Sequence, residues 1–255
     1  MYPRPSGIVT LTTDFGLRDP YVGIMKGALW AASDKPRIVD LSHDVAPQDV
    51  TMGAFMLWSA VQRFPTGTVH VGVVDPGVGT ARRLLAVAAH GQYWLVPDNG
   101  LVAAVLGTAE THEVRELDLQ HLRIQRTCET FDGREVFAKV AAWLATGRYG
   151  FSAMGARVTD AESADPIFGG EPRVVHVDHY GNLITNVRAD GSFYGRQIRC
   201  GDHELTVHKA FGDVAAGELL AYVGSFGLLE VAKSSGSAAD HLSLQRGAPI
   251  AVPSA

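Results

Sequence analysis

Residues 68–83 read Thr-Val-His-Val-Gly-Val-Val-Asp-Pro-Gly-Val-Gly-Thr-Ala-Arg-Arg, an apolar run that ends in a loop with one acid and two bases. The apolar part, 68–74, is rich in valine and is followed by Asp75-Pro76, which predicts a buried strand. Such strands lie in α/β sheets covered by helices, and ligands bind beyond the carboxyl ends of the strands. The loop at 75–83 is therefore a candidate site.

The sequence on both sides of this strand alternates between strand and helix patterns. Asp19-Pro20 is typical of a helix start, with Asp19 as the N-cap and Pro20 at the first helical position. Gly91-Gln92 indicates a hairpin turn, and Asn99 indicates the cap of a short helix that runs through Leu106. We also predict strands at 7–12, 38–41, 84–90 and 93–96, and helices at 50–61 and from Val136 to near Gly147.

Beyond residue 150 the pattern changes. Residues 151–172 are rich in Gly, Ala, Asp and Ser, as in a linker, and only strand-like runs follow. These runs are 174–177, 183–187, 197–200, 204–207, 219–223, 228–232 and 249–252. We predict an α/β N-terminal domain with a central sheet flanked by helices at 1–160, a linker at 161–171, and a small all-β, barrel-like domain at 172–255.

Composition excludes several classes of protein. The 255 residues are 46% hydrophobic and 19% charged with a net charge of −5, which excludes disorder and offers no basic run for nucleic acid or an anionic membrane. No apolar stretch is long enough to span a bilayer, and the N-terminus lacks the apolar part of a signal peptide. Two distant cysteines are typical of a reducing cytoplasm. We expect a soluble, cytoplasmic protein with a small-molecule substrate.

Two clusters of polar residues follow predicted strands of the first domain. In 12–16, Asp14 can accept hydrogen bonds from a ribose diol, or it can simply order a turn, while Asp19 can bind a ligand or cap a helix. In the loop at 75–83, an Asp and an Arg can orient a nucleophile, although a glycine turn with surface arginines is the commoner arrangement. This loop lacks the Gly-Lys-Ser/Thr of a phosphate-binding loop.

Two further clusters have strong structural alternatives. Asp132 and Glu135 have the spacing of a capping box at a helix start. The turn at 178–182 carries one acid and one amide, which are common turn residues. The ten histidines lack the spacing of metal ligands, and no Gly-x-Ser-x-Gly motif is present, so we expect neither a metal site nor a serine hydrolase.

Taken together, seven stretches resemble the S-adenosylmethionine hydroxide adenosyltransferases, the family that includes the fluorinase and the chlorinase. They occur in the family's order across nearly the whole chain: TDFGLRDPYVGIMKG (13–27), DLSHDVAPQDVTMGA (40–54), VVDPGVGTARR (73–83), PDNGL (97–101), ETFDGREVFAKVAA (129–142), VDHYGNLITN (177–186) and GELLAYVGSFGLLEVA (217–232). The resemblance implies an α/β domain followed by a β-barrel. It also implies nucleophilic substitution at the 5′ carbon of S-adenosylmethionine, with methionine as the leaving group and no cofactor.

The resemblance also implies catalytic roles for three residues. Asp75 and Arg82 match the Asp and Arg that hold the water in the hydrolases and that the halogenases lack. Asp132 stands where the hydrolases have His and the halogenases have Tyr. A carboxylate at this position can still accept a proton and repels halide.

Further residues match positions around the substrate. The resemblance places Asp14 at the ribose, with Phe131 packed against it, and Asp19 and Tyr21 near the methionine part. Asp178 matches the partner of the methionine ammonium group, and Asn182 matches the residue that binds adenine. The remaining matches line the two pockets: Phe211, Ser225, Glu230 and Lys233. Gln48 replaces a usual aromatic residue and Ser234 a usual Asn. The resemblance implies a homotrimer with sites between subunits.

Three functions therefore compete. The first is hydrolysis of S-adenosylmethionine to adenosine and L-methionine. The second is a protein that binds adenosine or S-adenosylmethionine without catalysis, which would keep Asp14, Asp178 and Asn182 and lose the family His. The third is a halogenase of the chlorinase type, which the pair Asp75 and Arg82 disfavours.

Overall fold

The computed structural model of the protein describes residues 2–252. The chain forms two compact units, Met1–Pro166 and Ile167–Ala255. The first is an α/β unit and the second consists almost entirely of strands. The predicted fold class, an α/β domain followed by a small barrel-like domain, is confirmed.

The first unit is built on a central mixed sheet. Within residues 2–252 its seven strands run in the order β2-β1-β3-β5-β4-β6-β7. The first four of these pair in parallel, and β4, β6 and β7 pair antiparallel. The strands are β1 (Ile8–Thr13), β2 (Arg37–Ser42), β3 (Val69–Val73), β4 (Leu84–Ala89), β5 (Gln92–Pro97), β6 (His112–Glu116) and β7 (Arg157–Val158). The parallel part brings the ends of β1, β2 and β3 to one edge, where the predicted site residues begin.

Helices cover this sheet on both sides, and every residue of β3 is buried. The helices are α1 (Tyr21–Ala32), α2 (Val50–Ser59), α3 (Ala103–Gly107) and α4 (Ala138–Ala145), and a π-helical turn, Gly133–Phe137, leads into α4. Val69, Val71 and Val73 pack in the core shared with α1 and α4. Gly72 faces the other side, where an added Cβ would lie 2.6 Å from Leu57 of α2. A side chain at Gly72 would therefore push α2 off the sheet.

Several local predictions need correction. Helix α1 begins at Tyr21, and Pro20 occupies the N-cap without a side-chain cap bond, so Asp19 is not the cap. Asn99 does not cap α3; its Oδ1 accepts from Leu101 N at 3.2 Å in the turn before the helix. The hairpin turn is His90-Gly91, both with positive φ, so Gln92 belongs to β5. The type of a side chain alone does not show whether it caps a helix or forms a turn, because neighbouring positions fit either role equally well.

The segment predicted as a linker begins later than its composition indicates. Phe151 and Met154 are buried in the first core, and β7 pairs with β6. The apolar side chains in 151–158 outweigh the small and polar residues around them, so this part completes the α/β unit.

The second unit is a nearly closed, mostly antiparallel sheet. Within residues 2–252 it has seven strands in the order β14-β10-β11-β12-β13-β9-β8. They are β8 (Val174–Val177), β9 (Leu183–Arg188), β10 (Gln197–Cys200), β11 (His203–His208), β12 (Leu219–Val223), β13 (Leu228–Lys233) and β14 (Ile250–Ala251). A bridge between Arg173 and Pro249 joins the two edges, and Val174 N donates to Ala248 O at 2.8 Å. Helix α5 (Ala238–Leu242), absent from the sequence prediction, begins with Ser237 as its N-cap.

Candidate active site

The loop after β3 holds an Arg and an Asp in direct contact. Arg82 Nε donates to both carboxylate oxygens of Asp75, at 2.7 and 2.8 Å, and Nη2 also donates to Asp75. Gly77 lies beneath this pair, since an added Cβ would approach Arg82 Cδ to 3.2 Å. Both side chains are almost buried. The glycine-rich loop therefore builds a fixed ion pair, and the alternative of a plain turn with surface arginines does not apply to Arg82.

Asp132 joins this pair from the π-helical turn. Arg82 Nη2 donates to Asp132 Oδ2 at 2.6 Å, so one guanidinium bridges two carboxylates. Asp132 is only 2% exposed, and its side chain makes no capping bond to the helix. The capping-box alternative is therefore wrong for Asp132. Glu135 instead accepts from Thr127 and Arg134.

A second arginine balances the charge of this cluster. Arg126 Nε lies 2.9 Å from Asp132 Oδ1, an ion pair that is not aligned as a hydrogen bond. Two carboxylates thus face two guanidinium groups. Burial alone would lower the pKa of Arg82, but its hydrogen bonds to Asp75 and Asp132 outweigh burial and raise it, so Arg82 stays charged.

Three aromatic rings pack against one another next to Asp132. Phe131, next to Asp132, contacts Phe15 and Tyr21 edge-on, with ring centroids 5.6 Å apart in both pairs. Tyr21 is half exposed and Phe131 is partly buried, so the group presents apolar ring surface to a ligand. Gly133 lets these rings approach, because an added Cβ would lie 3.3 Å from Phe131.

Asp14 lies at the end of β1, close to a left-handed turn. Its Oδ2 accepts from the backbone N of Gln48, at 2.8 Å, and Gln48 has a φ of 66°. Asp19 is exposed, just before α1. The structure thus brings Asp75, Arg82 and Asp132 into one cluster, with Asp14 and Asp19 in loops of the same unit. Their roles toward a ligand remain predictions.

In the second unit, Asp178 and Asn182 form one hydrogen-bonded turn. Asp178 Oδ1 accepts from Tyr180 N and Asn182 N at 2.9 and 2.8 Å, and its Oδ2 accepts from Asn182 Nδ2 at 2.8 Å. Gly181 packs on α5, where an added Cβ would lie 2.1 Å from Ser237 Oγ. Asp178 therefore orders the turn, as its structural alternative predicts, and this role is compatible with ligand binding.

Glu230 lies buried beside this turn. Tyr222 Oη donates a hydrogen bond to Glu230, and Phe211 packs on Tyr222 with ring centroids 5.1 Å apart. Burial, with a smaller contribution from the charge of Asp178, raises the pKa of Glu230, although the bond from Tyr222 opposes this shift. The buried acid, the phenol and the exposed ring of Phe211 form a second cluster of residues.

The other two predicted residues of this unit lie in β13 and in the turn before it. Lys233 Nζ is 2.9 Å from His241 Nδ1 of α5. Ser225 is exposed in the turn between β12 and β13. Two residues of these clusters, Arg126 and Tyr222, were not predicted from the sequence. Arg126 lies just outside the stretch 129–142, and Tyr222 lies inside the stretch 217–232 but faces Glu230 only through the register of β12 and β13. Across residues 2–252, no group of three His, Cys, Asp or Glu side chains has the arrangement of a metal site.

Comparison with known families identifies the protein class. The family model for the SAM hydroxide adenosyltransferase N-terminal domain matches residues 9–155, and that for the C-terminal domain matches residues 172–251. The chain belongs to the SAM hydroxide adenosyltransferase family. The resemblance inferred from sequence is thereby confirmed, and Asp75, Arg82 and Asp132 lie in the part that the N-terminal family model covers.

Individual relatives of this SAM hydroxide adenosyltransferase agree. An (R)-S-adenosyl-L-methionine hydrolase of Thermus thermophilus is 38% identical, over 95% of this chain and 98% of that protein. One of Salinispora tropica is 37% identical, over 95% and 96%. A fluorinase of Actinopolyspora mzabensis is more distant, at 28% over 98% of both chains. The crystal structure of an uncharacterized conserved protein from Thermotoga maritima superposes with a TM-score of 0.87, at 33% identity over 96% of this chain and all of that chain.

Proposed function

We propose that this SAM hydroxide adenosyltransferase hydrolyses S-adenosyl-L-methionine to adenosine and L-methionine. The observation that carries the proposal is the buried guanidinium of Arg82 between the carboxylates of Asp75 and Asp132. Together with membership of the family and the (R)-S-adenosyl-L-methionine hydrolases among its relatives, this cluster supports hydrolysis by water.

The reaction asks little of the protein apart from positioning. The sulfonium sulfur is already an excellent leaving group, so neither a metal nor a cofactor is needed. The water oxygen forms a bond to C5′ while the C5′–S bond breaks, and its electron pair stays on sulfur to give methionine. The water also loses one proton. Holding the water in line with the C5′–S bond removes the entropic cost of bringing the two reactants together in the right orientation.

Each residue of the cluster has a role in that step. Asp75 accepts a hydrogen bond from the water and takes its proton as the bond to C5′ forms. Arg82 fixes the direction of Asp75 through its two-pronged contact, and its charge favours the hydroxide form of the water. Asp132 holds the far side of Arg82. The pair Asp75 and Arg82 argues against the chlorinase type, because the resemblance implies that the halogenases lack it.

The substrate contacts follow the family positions. Asp14 binds the ribose diol, Phe131 packs against the ribose, and Asp19 and Tyr21 lie near the methionine part. In the second unit, Asp178 binds the ammonium group and Asn182 the adenine. The pocket linings include Phe211, Ser225, Glu230 and Lys233. The aromatic rings beside Asp132 support this arrangement in the first unit.

We also propose a cytoplasmic homotrimer in which each site combines the first unit of one subunit with the second unit of another. Leu17 is 77% exposed and Tyr21 is half exposed, beside Asp19, and such apolar surface supports self-association. Two free cysteines support a reducing compartment. Among residues 2–252, no helix has the length and apolar character needed to cross a membrane.

One observation favours a second function, a non-catalytic protein that binds adenosine or S-adenosylmethionine. Both oxygens of Asp132 face arginines, so neither oxygen is left unpaired to take a proton from the water. If Asp132 had to replace the family His as the base, catalysis would be lost while binding remained.

Isotope labelling tests the function. Purified protein is incubated with S-adenosylmethionine in ¹⁸O-water, with and without chloride. The products are separated by chromatography and their masses are measured by mass spectrometry. Hydrolysis at C5′ gives adenosine that carries one ¹⁸O, plus unlabelled methionine. Chlorinated adenosine would support the halogenase, and adenosine binding without any product would support the binding protein. The matched control is Asp75→Asn, which should form no labelled adenosine above background.

A further inference from the structure

A chain of hydrogen bonds behind Asp14 has no role in the proposed reaction so far. Thr13 Oγ1 lies 2.8 Å from His43 Nδ1, and His43 Nε2 lies 3.0 Å from Asp40 Oδ1. Lys26 Nζ of α1 donates to Asp40 Oδ2 at 2.6 Å. Thr13 and His43 are buried, whereas Asp40 is partly exposed. These hydrogen bonds therefore connect the surface of α1 to the end of β1.

The carboxylate of Asp40 sets the direction of these bonds when the imidazole of His43 is neutral. Asp40 can only accept, so Nε2 then carries the hydrogen and Nδ1 is left as an acceptor. The hydroxyl of Thr13 must then donate to Nδ1, and its oxygen accepts from Phe15 N at 3.3 Å. Asp40 thus determines, through His43, which way the Thr13 hydroxyl points.

The same histidine holds the loop on the other side of Asp14. Gly16 N donates to the backbone O of His43 at 2.8 Å. Asp14 lies between Thr13 and Phe15 and is fixed by both bonds, and its Oδ2 accepts from Gln48 N. Among residues 2–252, Asp14 Oδ1 has no hydrogen bond, so one oxygen of a rigidly held carboxylate is left for a ligand.

We propose that Thr13, His43 and Asp40 are positioning residues that hold the Asp14 carboxylate in the orientation for a vicinal diol. The inference rests on the proposed function, because it takes the ribose as the ligand of Asp14. A carboxylate held in place binds two hydroxyls without first losing its own freedom of rotation, and preorganisation of this kind raises affinity. Loss of the Thr13 hydroxyl frees the loop and leaves His43 Nδ1 without its donor.

The test compares two ligands that differ only in the diol. Affinities for adenosine and 2′,3′-dideoxyadenosine are measured by calorimetry for the wild-type protein, Thr13→Val and Thr13→Ser. Thr13→Val keeps the shape of the side chain and removes its hydroxyl. It should weaken the binding of adenosine about 5- to 10-fold, as expected for one lost hydrogen bond. The affinity for the dideoxy ligand should change little. Thr13→Ser restores the hydroxyl and should restore affinity. In an Asp14→Ala background, Thr13→Val should have no further effect.

Asp40→Ala is the second variant, because Asp40 is partly exposed and its loss is compatible with folding. It should weaken the binding of adenosine but not that of the dideoxy ligand, and by less than Thr13→Val does. An equal loss for both ligands, or no loss in either variant, would overturn the positioning role while leaving the proposed function intact. If the wild-type protein bound neither nucleoside, the proposed function itself would fail, and the inference with it.

Discussion

Replacement of Asp132 by Asn gives the sharpest test of the charge-balanced cluster. The change keeps the shape of the side chain and removes its charge, so Arg82 loses a 2.6 Å contact to a carboxylate and Arg126 loses one of 2.9 Å. Hydrogen bonds to charged groups are worth about 1.5–3 kcal/mol each. Because Arg126 is 25% exposed, its share is smaller, and we expect Asp132→Asn to lower the free energy of unfolding by about 2–4 kcal/mol.

The turnover of Asp132→Asn should fall together with its stability. Without Asp132, the guanidinium of Arg82 is held on one side only, so Asp75 and the water that it binds lose their fixed direction. We expect the rate of adenosine formation to fall by about 10²-fold, the cost of misplacing a reacting group by about 1 Å. Asp132→His, which restores the residue of the family hydrolases, should keep or raise activity.

Arg126 provides the matched control. Arg126→Gln should cost about 1–2 kcal/mol in the wild-type protein, less than for a fully buried pair because Arg82 still faces Asp132. In the Asp132→His background it should cost almost nothing, since no carboxylate remains to be paired. Urea unfolding supplies the free energies and chromatography the rates. Equal turnover for the wild-type protein and Asp132→Asn, or an equal cost of Arg126→Gln in both backgrounds, would refute this reasoning.

Four further predictions concern other parts of the molecule. Asp14→Ala should weaken adenosine binding roughly ten- to a hundredfold, because ribose hydroxyls lose a charged acceptor; unchanged affinity in calorimetry would remove Asp14 from the site. Although burial alone would raise the pKa of Glu135, hydrogen bonds from Thr127 and Arg134 lower it to about 2. The unfolded state therefore takes up the proton first, and this share of stability is complete above about pH 4.5 and lost as pH falls toward 2. Denaturation of Glu135→Gln should depend less on pH across that window, and an unchanged slope would contradict the assignment. Gly181→Ala should destabilise the second unit by about 1–3 kcal/mol, because φ is +80° and the new Cβ meets Ser237; an unchanged melting temperature would argue against this packing. Light scattering should find three chains per particle, with ligand binding lost on dilution to monomers; a ligand-competent monomer would exclude shared sites.

Sequence patterns predicted the second unit well. The runs 174–177, 197–200 and 219–223 coincide with β8, β10 and β12, because short alternating strands are bounded there by clear turns. Helix starts were harder, as Asp19 illustrates: Pro20 occupies the N-cap, one position before the first helical position that its ring geometry favours. Cap preferences are worth about 1 kcal/mol, too little to decide between neighbouring residues.

Part of the candidate site could likewise be predicted from the sequence and part could not. The motifs indicated Asp75, Arg82 and Asp132 as candidates, since each follows a strand or begins a helix in a short polar run. Nothing in those runs indicates that one guanidinium joins two of them, or that Arg126 faces Asp132. Pairings of this kind depend on how distant loops meet at the sheet edge, and chain-local periodicity carries no information about that meeting.

The second guanidinium beside Asp132 also limits the order in which this site can change. With His at position 132, a partly exposed Arg126 would have no buried carboxylate to pair with and would cost little. Loss of Arg126 with Asp132 retained would leave a buried carboxylate that shares the single charge of Arg82 with Asp75. Such a variant would be both less stable and less active. Exchange of Asp132 for His is therefore tolerated with Arg126 in place, whereas Arg126 can be replaced without this cost only after that exchange.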